Sequence, residues 1–88
     1  MANNELWNRI KKHEGEIFYT VRGLPFTYGF VAENKIQPIR DGSKKWVVSQ
    51  NMIEKAWTLL DGNKTVFNKT IIAPSYVYGI LTDDRIRE

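Results

Sequence analysis

Between Phe18 and Phe30, five aromatic rings (Phe18, Tyr19, Phe26, Tyr28 and Phe30) fall within thirteen consecutive residues. In a chain of 88 residues that density constrains folding more than any other feature, because so short a chain buries only about two thirds of its unfolded surface and has room for one core. The chain has no cysteine, so neither a disulfide nor a thiolate metal site can supplement apolar packing. Net stability for this length is about 4–13 kcal/mol, and truncating one buried ring costs about 3–5 kcal/mol. The rings are therefore either most of the core or an exposed stacking platform, and the protein cannot easily afford both.

Alternation decides between these in the sequence. The run Glu16–Arg22 places Ile17, Tyr19 and Val21 on one face and Phe18, Thr20 and Arg22 on the other, with the first face the more apolar. Gly23-Leu24-Pro25 is a turn signal, and the following run groups Phe26, Tyr28, Phe30 and Ala32 opposite Thr27, Gly29 and Val31. The expectation is an antiparallel hairpin with Tyr19, Phe26, Tyr28 and Phe30 in the core and Phe18 turned outward. A single outward ring is a poor match to the sheet platforms that stack two or three bases.

The rest of the chain supplies partners for that face. Asn3 or Asn4 can cap a helix carrying Leu6, Trp7 and Ile10 on one side, with Lys11, Lys12 and His13 near its negative end and Gly15 as a stop. The run Ile36–Arg40 contains Pro38, which cannot donate to a ladder and suggests an edge strand or bulge. Asp41-Gly42-Ser43 is a strong turn signal leading into Lys44–Val48 as a return strand. Ser49 then caps a helix in which Met52, Ile53, Ala56, Trp57 and Leu60 recur at helical spacing until Asp61-Gly62. Residues 63–73 fit no single pattern. Ser75 is expected to cap a last short helix with Tyr76, Val77, Ile80 and Leu81 on one face. The fold class that follows is α+β: one domain spanning residues 1–88, a three- or four-stranded antiparallel meander with about three short helices packed on one face.

The segments Glu14-Gly15-Glu16, Phe18, Thr20, Gly23, Phe26, Tyr28 and, later, Pro74-Ser75-Tyr76, Ile80-Leu81, Asp83 and Arg85-Ile86 together resemble a group of small proteins of bacteria and their phages or mobile elements. The resemblance spans nearly the whole chain. It implies a self-standing domain, and it carries no activity and no functional residues. In that pattern a glycine precedes the proline; here the position is Ala73, which argues against a special backbone conformation there.

Catalytic chemistry has little to work with. His13 is the only histidine, and at the end of a charged helix it reads as a solvated, dipole-stabilised side chain despite Glu14 and Glu16 nearby. Asp83 and Asp84 are adjacent, so on a helix they diverge by about 100° and cannot share a proton or a metal. Residues 61–65 lack the spacing of phosphate and calcium loops. No catalytic residue, metal site or cofactor is expected. No run approaches the roughly 18 apolar residues of a membrane span and the start lacks a signal-peptide pattern, so the expected setting is cytoplasmic, with no membrane partner. The glycosylation-like triplets at Asn63 and Asn68 then read as coincidence.

Binding remains. Formal net charge is +3, and residues 35–69 hold seven basic side chains against three acidic ones. The candidate nucleic-acid surface is Arg40, Lys44, Lys45 and Trp46, joined by Arg22 and Lys35, because phosphates attract the cations and a ring offers a face to an unstacked base. The competing structural reading makes Lys44 and Lys45 solvated guards of a strand edge and turns Trp46 inward. A protein-binding adaptor or inhibitor is the alternative, using exposed Tyr76, Tyr78 and Leu81 or the strand containing Pro38; Tyr78 motivates it by lying off the apolar stripe. A homodimer that completes the burial of surplus rings is a third candidate partner.

Overall fold

A computed structural model describes residues 3–87, with the side chains of Asn3 and Asn4 outside the described part; so is the expectation that one of them caps the first helix. In chain order the elements are α1 (Asn3–Lys12), β1 (Phe18–Tyr19), β2 (Pro25–Ala32), β3 (Lys35–Ile39), β4 (Val48–Ser49), α2 (Gln50–Leu59), α3 (Lys64–Thr70), α4 (Pro74–Leu81) and α5 (Asp84–Arg87). The strands form one antiparallel sheet in the order β1-β2-β3-β4, so the protein is an α+β meander. Among the described residues no helix is long and apolar enough to cross a membrane.

Register explains the core. Phe18 lies opposite Phe26, Tyr28 opposite Pro38, Phe30 opposite Ile36, and Ile36 opposite Val48. Residues directly opposite in an antiparallel pair share a face. That face is the inner one: Phe18, Phe26, Tyr28, Ile36 and Val48 are buried with Leu6, Trp7 and Ile10 of α1, Ile53 and Ala56 of α2, and Val77, Ile80 and Leu81 of α4. The ring of Phe18 stands 5.3 Å from that of Tyr28, and Trp7 meets Phe30 edge-on at 5.4 Å.

The phase of β1 is therefore opposite to the alternation expected from sequence. Phe18 is 0% exposed, whereas Tyr19 is 56% exposed and Ile17 and Val21 also face solvent. Pairing with Phe26 fixes this: although the Ile17, Tyr19 and Val21 face is the more apolar, the face on the Phe26 side is buried, because a two-residue strand has too little alternation to override its register with β2. The other expected core rings behave as anticipated, Phe26 and Tyr28 being buried and Phe30 partly buried against the same cluster.

Beyond β1, the open side of β2 is closed by the residues after α1. Gly15 N–H donates to the Tyr28 carbonyl at 3.1 Å, and Glu14 Oε2 accepts from the Phe30 N–H at 2.8 Å. Tyr28 returns the favour to the helix: its hydroxyl donates to the Ile10 carbonyl at 2.6 Å, satisfying one of the orphan carbonyls in the last turn of α1. Burial raises the Tyr28 pKa above the ordinary phenolic value, so the hydroxyl keeps the proton it donates.

Two further expectations are corrected. The return strand over Lys44–Val48 shrinks to Val48–Ser49, and Lys44–Val47 is irregular and exposed. Ser75 does not cap α4; the cap position is Ala73, which has φ 51° and ψ 55° and makes no side-chain cap, with Pro74 opening the helix. The left-handed conformation associated with a glycine before the proline is thus adopted by alanine. Ser49 does cap α2, accepting from the Met52 N–H at 3.2 Å. Residues 63–73, unassigned from sequence, contain α3, capped by Asn63 accepting from the Thr65 N–H at 2.8 Å and anchored by buried Phe67.

Candidate nucleic-acid interface

The Asp41-Gly42 turn organises the basic surface. Both residues have positive φ, 52° and 79°, and Arg40 and Ser43 close the turn by exchanging backbone hydrogen bonds of 3.2 and 2.8 Å. Paired positive φ values match the right-handed twist of the flanking chain, which is why Asp-Gly is favoured there. After this turn the chain does not rejoin the sheet until Val48. The Gln37 amide donates to the Lys44 carbonyl at 3.0 Å and tethers the departing segment.

Lys44, Lys45 and Trp46 are consequently all exposed. Trp46 keeps 40% of its surface accessible, and Lys45 Nζ lies 5.1 Å from the centroid of its ring. The inward Trp46 of the structural reading is overturned: without a strand through Lys44–Val47 there is no pleat to aim it at the core. Val47 is exposed as well.

Arg22 and Arg40 come together from distant parts of the sequence. Arg22 sits in the turn between β1 and β2, where Thr20 N–H donates to the Leu24 carbonyl (2.9 Å), Leu24 N–H to Thr20 Oγ1 (3.1 Å) and Gly23 N–H to the Thr20 carbonyl (2.8 Å). With Thr20, Leu24, Ser75 and Tyr76, the two arginines line one depression of about 260 Å³. Lys35 stands apart. It begins β3 while Arg40 follows its end, so five strand steps of about 3.3 Å each separate them.

The residues named for a protein-binding surface are less available. Leu81 is 0% exposed, so its expected exposure is corrected: the helix turns it into the core. Tyr76 and Tyr78 are half-buried, Tyr76 packing edge-on against Phe26 at 5.0 Å and Tyr78 against Phe67 at 5.6 Å, with Lys64 Nζ 5.3 Å from the Tyr78 ring.

A polar cluster that the sequence reading missed lies at the C-terminal end. Asp83 Oδ1 accepts from both the backbone N–H and Nε of Arg85, each at 2.9 Å, and the Arg85 guanidinium also donates to Glu16 Oε1 (2.9 Å) and the Ile17 carbonyl (2.7 Å). It lies 3.9 Å from the Phe18 ring centroid. His13 Nδ1 is 2.8 Å from Glu16 Oε2. The His13 hydrogen bond, then that of Arg85, hold the Glu16 carboxyl below its ordinary range, and Arg85 does the same for Asp83. Arg85 is itself pushed upward, chiefly by its hydrogen bond to Asp83. Arg85 thus ties Asp83, just before α5, to Glu16 and Ile17, just ahead of β1. Nothing in local sequence pairs Glu16 with Arg85 across 69 positions.

Compared with protein-family models, curated proteins and solved structures, the chain finds no match.

Proposed function

We propose that this protein is a small non-enzymatic module that contacts the backbone of nucleic acid through Arg22, Arg40, Lys44 and Lys45, with Trp46 offering its ring face to an unstacked base. The observation that carries the proposal is the release of Lys44–Val47 from the sheet, which leaves Trp46 exposed with a lysine beside it and the two arginines near the same turn. Lys35 is too far along β3 to belong to the same patch and contributes only long-range attraction.

Such a surface grips charge and stacks without reading sequence. If three to five phosphates are engaged, log affinity for duplex DNA falls against log salt with a slope of about −3 to −4.5. Single strands should quench Trp46 fluorescence, and Trp46→Ala should cost about 1–3 kcal/mol of single-strand binding while leaving the thermal transition in place. Salt-independent binding, or none at low ionic strength, refutes the proposal.

A protein partner is the second reading, and one observation favours it: Ile17, Tyr19, Val21 and Leu24, all near one another in sequence, are exposed apolar side chains. Replacing Tyr19 and Val21 by serine should then abolish a nuclease-resistant association without altering nucleic-acid affinity, whereas unchanged association removes this reading.

A further inference from the structure

The depression between the β1–β2 turn, the end of β3 and the start of α4 has a chemistry of its own. Its lining is Thr20, Arg22, Leu24, Arg40, Ser75 and Tyr76: two guanidinium groups, three hydroxyls and one leucine, with no acidic side chain. Arg22 makes no ion pair or hydrogen bond with another described residue. Among the described residues the Arg40 guanidinium has only Asp41, at 4.0 Å, and that carboxylate is 88% exposed, so it competes weakly. The Ser75 and Tyr76 hydroxyls have no hydrogen-bond partner among the described residues, while Thr20 Oγ1 accepts from Leu24 N–H and keeps its own proton to donate.

Each wall has its own support. Three hydrogen bonds tie the backbone of the Thr20–Leu24 turn, the Asp41-Gly42 turn holds the Arg40 backbone, and the ring of Tyr76 packs edge-on against Phe26. Donors gathered around a concave site favour a compact anion with several acceptor oxygens. Two positive charges match a phosphomonoester, which carries close to two negative charges at neutral pH, better than the single charge of a phosphodiester.

We infer that this depression is a subsite for a terminal phosphate, and that the nucleic-acid strand proposed above is held by its phosphorylated end. The inference rests on that reading of the surface: Arg40 immediately precedes the turn whose far side leads to Lys44, Lys45 and Trp46, so a strand anchored by its end has cations and a ring face within the next few residues of protein.

The test is fluorescence anisotropy with one single strand of about twelve nucleotides, prepared with a 5′-phosphate, a 3′-phosphate, or hydroxyls at both ends. A phosphate at one end should tighten binding by about tenfold or more, as expected for new hydrogen bonds between charged groups. Arg22→Gln and Arg40→Gln should each erase that gain, with unchanged circular dichroism and melting showing that the fold persists. Tyr76→Phe, which keeps the ring against Phe26 and removes only the hydroxyl, should reduce the gain severalfold. Inorganic phosphate alone should shift the Arg22 and Arg40 side-chain N–H resonances. Equal affinity for all three strands, with the salt dependence intact, overturns the terminal subsite and leaves the broader surface standing; so does a phosphate-induced shift that is not accompanied by any gain for phosphorylated strands. Failure of every strand to bind removes both.

Discussion

Gly79 marks the place where α4 crosses the backbone of β1. A Cβ built there would fall well inside contact distance of the Tyr19 carbonyl oxygen, and the ring of Phe26 closes the other side. A flexible side chain could yield to a methyl group; a strand backbone already paired to β2 cannot. Gly79→Ala gains helix propensity of about 1 kcal/mol, but forcing helix and strand apart costs about 3 kcal/mol or more, so the clash wins. Against the small stability expected of this chain, the variant should show a markedly lower urea midpoint or no cooperative transition; a midpoint equal to wild type would disprove the close approach. Ala73 illustrates the opposite balance. Its left-handed backbone costs about 1–2 kcal/mol, while burying its methyl returns about 0.8 kcal/mol and the stiffer unfolded chain about 0.4–1 kcal/mol relative to glycine. The terms nearly cancel, which is how alanine occupies a position whose conformation favours glycine.

At the scale of elements, α2 is held at its start by one side chain, because its first turn contains no acidic residue to complement the dipole. Ser49→Ala removes the acceptor of the Met52 N–H and should cost about 1 kcal/mol, measurable as a shift in denaturant midpoint at unchanged m-value. Elements with a strong local signal were legible in the sequence: α2 from its spacing and cap, the Asp41-Gly42 turn from its dipeptide, and β2 from alternating rings over eight residues. Where a local signal is short, partners decide. Ile17, Tyr19 and Val21 make the more apolar face of their run, yet the register with Phe26 buries Phe18 instead. Lys44–Val47 has the composition of a strand, yet β4 pairs only with Lys35 and Ile36 and the run before it stays free. The candidate site was legible to the same extent. Lys44, Lys45 and Trp46 are neighbours in sequence, but the meeting of Arg22 with Arg40 and with Ser75 and Tyr76 is a product of tertiary structure alone.

The whole molecule is closed by contacts between the first hairpin and the C-terminal helices: Tyr76 packs on Phe26, Gly79 lies on Tyr19, and Arg85 reaches Glu16. Arg9 of α1 also donates to the Ile86 carbonyl at 3.2 Å. The part of this closure made by Arg85, Glu16 and Asp83 is built from charged groups, so that part should depend on acid. Glu16 and Asp83 have ordinary values of 4.5 and 3.8, and both are lowered in the fold by the hydrogen bonds described above. A carboxyl whose folded value lies below its unfolded one binds fewer protons when folded, so its contribution is complete above the unfolded value and disappears as pH falls through the folded one. The stability these two carboxyls supply should therefore hold steady above about pH 5 and decline progressively as pH falls below it. Arg85→Gln removes the guanidinium from Asp83, Glu16 and the Ile17 carbonyl while leaving a side chain over Phe18; its cost at neutral pH should be about 2 kcal/mol after allowance for partial exposure. Because that variant has already lost the guanidinium from both carboxylates, while Glu16 keeps its hydrogen bond to His13, its stability should fall less steeply on acidification, and the two curves should converge as the carboxyls become protonated. Denaturant titrations across this range measure both curves directly. Parallel curves would mean that carboxylates elsewhere carry the acid sensitivity and that Arg85 contributes only its packing against Phe18.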